Sequence, residues 1–256
     1  MSEDNYATLL PHAYAAARAA AALVPPRRVV VEFDHATLLP AERVTLTLRN
    51  VDLLIHAGEI VIVQLVPGTE SLPLVDAALG MLEPSAGVVR VNGRDWTSLL
   101  PEEQLIWRGR AGRVFNGEAW ISNLTLADNV VLSRSHHTHD SIDLIAADTK
   151  RWAQRFGLEA VPAERPSLVP ASIRRLCEWV RAFFHEPALL LLENPTRGAP
   201  REATEKLLSA LVEAQGRGAA ILLLTTDDEL WSASSLQDAT RFVIRDDRLL
   251  PCEVLP

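Results

Sequence analysis

The sequence predicts a mixed α/β fold in which a mainly parallel sheet carries helices on both faces and is preceded by an antiparallel sheet. Residues 60–66 are apolar but for Gln64, as a parallel strand covered on both faces should be. Two further apolar runs, 189–192 and 220–224, flank a helical pattern over 201–215, the alternation that builds parallel sheets. Ahead of them, 28–33, 44–48 and 51–55 read as half-buried antiparallel strands.

The Ala-rich stretch 14–24 is interrupted by Arg18 and follows Glu3 and Asp4, so it fits neither a signal peptide nor a spanning helix. Residues 1–26 are therefore expected to form a packed helical extension, closed by Pro25-Pro26, and 27–256 the main domain. A turn falls near Pro40 and another at 56–59. The strand at 60–66 passes through a loop into a helix over 73–82 with proline near its first position. A strand at 87–91 turns at Asn92-Gly93. From about 117 to 184 the pattern is mostly helical, a subdomain with a proline-rich break at 161–170.

Composition limits the partners. With 256 residues, 48% of them hydrophobic, the chain buries a sizeable core. A formal net charge of −8 argues against a nucleic-acid partner. Two cysteines, Cys177 and Cys252, cannot make a multi-bridge secreted scaffold, and a cytoplasmic location is expected. His136, His137 and His139 lie close together, but beyond Asp140 nothing nearby completes a coordination sphere, so no metal site is expected. Trp107, Trp120, Trp152 and Trp179 read as core or interface packing.

The strand, loop and helix at 60–82 have the layout of a phosphate-binding loop. Such a loop needs small residues so that backbone N–H groups point inward, a lysine for the β and γ phosphates, and a hydroxyl for magnesium. Here the glycine positions hold Leu65, Gly68 and Glu70, the lysine position holds Ser71, and the hydroxyl pair is replaced by Leu72 and Pro73. Glu70 brings a carboxylate to a helix N-terminus, where the dipole stabilises it by roughly 0.3–1 kcal/mol. It either fills the anion nest in place of phosphate or points to solvent.

Three stretches, 58–61, 82–93 and 185–196, resemble those of the ATP-binding cassette family, the motor subunits of ABC transporters, and the resemblance runs from about residue 30 to the end. It implies a P-loop NTPase core with an antiparallel β subdomain and a helical subdomain. Carried over position by position, it places Glu193 at the magnesium-ordering aspartate and Asn194 at the catalytic glutamate. Thr226 falls on the switch histidine and Asn116 on the Q-loop glutamine. Pro170, Ala171 and Ser172 fall on the signature, and the aspartate of the following loop is missing from 197–200. An amide cannot act as a general base. The resemblance therefore implies a pseudo-ATPase rather than an enzyme, with ATP and magnesium binding weak or absent and a structural or regulatory role.

In that family two cassettes sandwich nucleotide against a permease. The implied partners are a second cassette subunit, identical or different, and an integral membrane permease, with the chain peripheral on the inner face of the membrane. Residues 120–132 are similar to the corresponding stretch of the Mla-type lipid transporter ATPases. That similarity implies an MlaE-like permease and a lipid or other hydrophobic cargo, and it nominates Trp120, Ile121, Asn123 and Leu124 for permease contact. Three rival readings remain: a weak ATPase with rewired contacts, a soluble adaptor unconnected to transport, and a site that takes a non-nucleotide ligand, given the apolar Leu65 and Leu72.

Overall fold

The computed structural model describes residues 27–39, 46–66, 68–69 and 72–252. The proposed extension over 1–26, the turn at Pro40, and Glu70 and Ser71 lie outside the described residues.

Strand β1 (Val29–Leu38) is the centre of an antiparallel sheet. It pairs with β2 (Leu48–His56) on one side and with β4 (Ala86–Val91) on the other. β5 (Arg94–Asp95) completes the order β2-β1-β4-β5. The sequence pattern breaks the second strand at residues 49–50, but the structure runs through them. Ala36 pairs with Val51 and Leu38 with Leu48, which leaves one residue extra on β2, and Asn50 absorbs it at φ +52°. Asparagine tolerates that left-handed backbone, so the strand bends without ending.

The second sheet contains β3 (Ile60–Gln64), β6 (Ala111–Val114), β7 (Leu189–Glu193), β8 (Ala220–Thr225), β9 (Thr240–Arg245) and β10 (Arg248–Pro251). Its order is β10-β9-β3-β8-β7-β6, parallel except for the hairpin strand β10. Because strand side chains alternate, each apolar run feeds two cores. Ile60, Ile62, Leu190, Leu192, Ile221 and Leu223 pack on the helical side. Val61, Val63, Leu189, Leu191, Leu222 and Leu224 pack toward the antiparallel sheet.

Helix α1 (Pro73–Ala78) is shorter than the expected 73–82. The chain leaves it through Gly80 at φ +62°, where a Cβ would lie 2.4 Å from Cδ2 of Trp96, so a glycine lets the indole close over the turn. α2 (Pro101–Gly109) precedes β6. α3 (Leu126–His137), α4 (Ile142–Arg155) and α5 (Ala171–Phe183) fill the helical stretch, and α6 (Thr204–Gly216) and α7 (Asp228–Trp231) flank β8.

α4 and α5 meet through aromatic rings. Trp152 and Phe183 lie 5.5 Å apart and Phe156 and Trp179 5.4 Å apart, the latter edge to face. The Trp179 indole N–H donates to the carbonyl of Pro195 at 3.0 Å, which fixes α5 to the loop after β7. Among the described residues, no helix is long and apolar enough to cross a membrane.

Candidate functional site

The carboxyl ends of β6, β7 and β8 converge, and with them three positions that are far apart in sequence. Asn194 follows β7 in a left-handed backbone, φ +43°, and is only 5% exposed. Its Nδ2 donates to Oδ1 of Asn116 at 2.9 Å. Its Oδ1 accepts from the backbone N–H of Thr226 at 2.9 Å and from the Thr226 hydroxyl at 3.2 Å. One buried amide thus ties together the segments that follow β6, β7 and β8. Burial without these bonds would cost about 1–3 kcal/mol, so the network fixes the three loops together.

Glu193, 2% exposed, is held differently. Its Oε2 accepts from Nε and Nη2 of Arg113 at 3.2 and 2.8 Å. Arg113 also donates from Nη1 to Asp76 in α1 at 2.6 Å, and its guanidinium lies 4.3 Å from the centre of the Phe115 ring. The sequence reading missed Arg113, although a charged residue within the otherwise apolar run Ala-Gly-Arg-Val had to find a buried partner. Magnesium, which the family's nucleotide carries, needs an open carboxylate. At Glu193 the described residues do not fit it, because a guanidinium already stands against that oxygen.

The loop positions divide. Gly68 takes φ +90°, and among the described residues a Cβ there would meet nothing within 4 Å. Leu72 and Pro73 are buried at the start of α1 and belong to the core. The placement of Glu70 in an anion nest falls outside the described residues. Pro170 caps α5, with Pro170 and Ala171 exposed and Ser172 half-buried. These three make no hydrogen bond to Asn116, Asn194 or Thr226 among the described residues.

Trp120 is half-buried, Ile121 and Asn123 are exposed and Leu124 is half-buried, so this segment presents a surface. Asn129 in α3 anchors it, accepting from Ile121 N at 2.8 Å and donating to the carbonyls of Ile121 and Thr125 at 3.0 and 2.8 Å. The sequence reading passed over Asn129 as well, since asparagine in a helix carries no local signal for what it will bind. His136 is exposed at the end of α3. Among the described residues, the group that gathers three ligand-type atoms within 4.8 Å is instead Asp34, His35 and Asp52, where Asp34 already pairs with Arg90 at 3.0 Å.

Glu178 lies buried in α5, and desolvation pushes its carboxyl up to about 7 against the pull of Arg175 and Arg181. A carboxyl raised in this way favours the fold below its ordinary range near 4.5 and loses that contribution as pH rises through about 7. Thermal midpoints of the parent are therefore expected to fall relative to Glu178→Gln between pH 5 and pH 8. A constant difference across that range would mean that Glu178 is ionised throughout.

No family model matches the chain. It is 29% identical over 237 residues, 86% of its length, to the methionine import ATP-binding protein MetN 2 of Burkholderia mallei, covering 57% of that protein. It is 23% identical over 184 residues, 71% of its length, to the bacitracin export ATP-binding protein BceA of Halalkalibacterium halodurans, covering 72% of that protein. The chain spans about half the length of the methionine import relatives that it matches. Among solved structures, a dimeric ATP-binding cassette in a post-hydrolysis state with ADP and Pi superimposes with a TM-score of 0.73 at 19% identity, over 86% of this chain and 96% of that one.

These names correct three expectations together. The relatives are ATP-binding proteins of import and export systems, which overturns the reading of a pseudo-ATPase, of a non-enzyme, and of a chain that works without nucleotide. The physical reason for the error is that lost side chains were counted one by one, whereas three of those positions, Asn116, Asn194 and Thr226, are hydrogen-bonded to one another. Named cargoes among these relatives are methionine, bacitracin and macrolide, which lend no support to a lipid. In fold and in sequence, the chain is similar to the ATP-binding cassette subunits of transporters.

Proposed function

We propose that the chain is the ATP-binding subunit of a membrane transporter, acting at the inner face of the membrane with a rewired nucleotide site. The observation that carries this reading is the Asn116–Asn194–Thr226 network, which gathers three loops at the carboxyl ends of parallel strands, where open α/β sheets take their ligands. The relatives' names supply the nucleotide. Gly68 leaves room for phosphate, while Leu72 and Pro73 hold the loop to the core. Glu193 serves by ordering Arg113 and α1 beneath that loop.

Asn194 cannot take a proton, so its part is to orient: with Thr226 it fixes the loops that face the reacting phosphate, and turnover rests on positioning. A second cassette, identical or different, would present the start of its own α5 at Pro170, Ala171 and Ser172, where the first N–H groups of a helix suit an anion. The permease contact is proposed at Trp120, Ile121, Asn123 and Leu124, a segment of which Ile121 and Asn123 are exposed. Its MlaE-like character rests on the similarity of residues 120–132 alone.

The test is ATP titration calorimetry on the full chain, followed by phosphate release from the membrane complex that co-purifies with it. Saturable binding is expected, with phosphate release that falls roughly tenfold or more in Asn194→Ala. Neither heat nor phosphate release, in the chain or in the complex, would overturn the reading.

A further inference from the structure

Segment 115–120 begins beside the amide network and ends at Trp120. Regular secondary structure does not hold it; α5 does. The guanidinium of Arg175 donates to the carbonyls of Phe115 at 2.8 Å and of Arg197 at 2.9 Å, and to the carboxylate of Glu178 at 2.5 Å. Phe115 adjoins Asn116, and Arg197 closes a turn by donating its N–H to the carbonyl of Asn194 at 3.0 Å. One side chain therefore grips the backbone on both sides of the Asn116–Asn194 bond. Six residues along the same helix, Arg181 donates to the carbonyl of Ala119 at 2.6 Å and lies 4.4 Å from the centre of the Trp120 ring.

We propose that Arg175 and Arg181 are positioning residues that make α5 the mechanical link between the Asn116–Asn194–Thr226 network and the segment 120–124, with the acidic Glu178 held between them. The naming of one end as nucleotide-side and the other as permease-side rests on the function proposed above; the link itself does not.

Guanidinium chemistry suits this work. A planar fork can bond carbonyls of two different loops at once, and its face can lie on an aromatic ring, so a displacement at either loop is passed to the helix. Lysine offers neither the fork nor the flat face. Burial pulls Arg181 down from its ordinary range, and the nearby Glu178 opposes that pull when it ionises. The groups facing Glu178 are Arg175, Arg181 and Cys177 on α5 and Glu118 on the loop. It also borders a cavity of about 70 Å³ lined by Glu118, Trp120, Arg174 and Arg197. Arg174 in turn pairs with Glu118, so three arginines of one helix hold the loop.

The link is tested on the full chain without nucleotide, by amide hydrogen exchange over 115–124 and 194–198. Asn194→Ala, which cuts the network, is expected to raise exchange in 120–124 at least tenfold. The same change made in an Arg175→Met background should add less than twofold, because the connection is already broken. Arg181→Met should raise exchange in 119–124 while leaving 194–198 unaltered, and Arg181→Lys should restore only part of the protection.

A second readout needs no tolerated arginine variant. The Trp120 contribution to emission, isolated by difference from Trp120→Phe, should titrate with a midpoint near 7 in the parent and show no such step in Glu178→Gln. Additive effects of Asn194→Ala and Arg175→Met on 120–124, or a Trp120 signal indifferent to Glu178, would overturn the link. Failure of ATP to bind would sink the proposed function and leave these measurements standing.

Discussion

Replacing Arg113 with methionine is expected to lower the free energy of unfolding by about 3–5 kcal/mol, the cost of removing one partner of a buried ion pair. The side chain of Arg113 is 13% exposed and that of Glu193 2%, so the carboxylate that loses its guanidinium stays out of water. Asp76, at 31%, recovers most of its solvation and adds little. Urea denaturation of the two proteins would measure the difference. Pairing the change with Glu193→Leu should return much of the loss, since replacing both charges by apolar groups of similar volume is often neutral. A loss below about 1 kcal/mol for the single variant would show that water reaches Glu193, against the burial on which its ordering role rests.

Gly112→Ala is the second large effect, expected to cost about 2–3 kcal/mol. An added Cβ would lie 2.0 Å from the carbonyl oxygen of Ala182 and 2.9 Å from its carbon, both backbone atoms of α5 that cannot swing aside. Overpacking of this kind typically costs about 1–3 kcal/mol. Alanine's lower entropy in the unfolded chain offsets only about 0.4–1 kcal/mol of it. Gly216→Ala is the control, because a Cβ there meets nothing within 4 Å and the residue lies in α6. A Gly112→Ala protein as stable as the control would mean that α5 can move off β6. The helix would then be too loosely seated to position anything.

The catalytic expectation failed for a reason that can be located. Position by position, the sequence showed which side chains were present at 116, 193, 194 and 226, and those identities are unaltered in the structure. What a linear reading lacked was Arg113, Asp76 and Asn129, each of which becomes informative only through a partner brought to it by the fold. The four-residue overshoot of α1 has the same origin. Its apolar pattern continues through Leu82, but Trp96, from a later segment, closes over Gly80 and ends the helix.

The sequence by itself determined the layering. Strands apolar on both faces, as at 60–64, 189–193 and 220–225, must lie in a covered parallel sheet, and alternating strands must lie half exposed, because burial follows side-chain period. Through the stretches at 58–61, 82–93 and 185–196 it also pointed to the ATP-binding cassette subunits that the chain resembles in sequence and fold. Only the tertiary structure decided how the polar groups are satisfied. Hydrogen bonds and ion pairs between residues some thirty to eighty positions apart, as in Asn116–Asn194, Asn194–Thr226 and Arg113–Glu193, depend on where strand ends meet, and no local pattern encodes that.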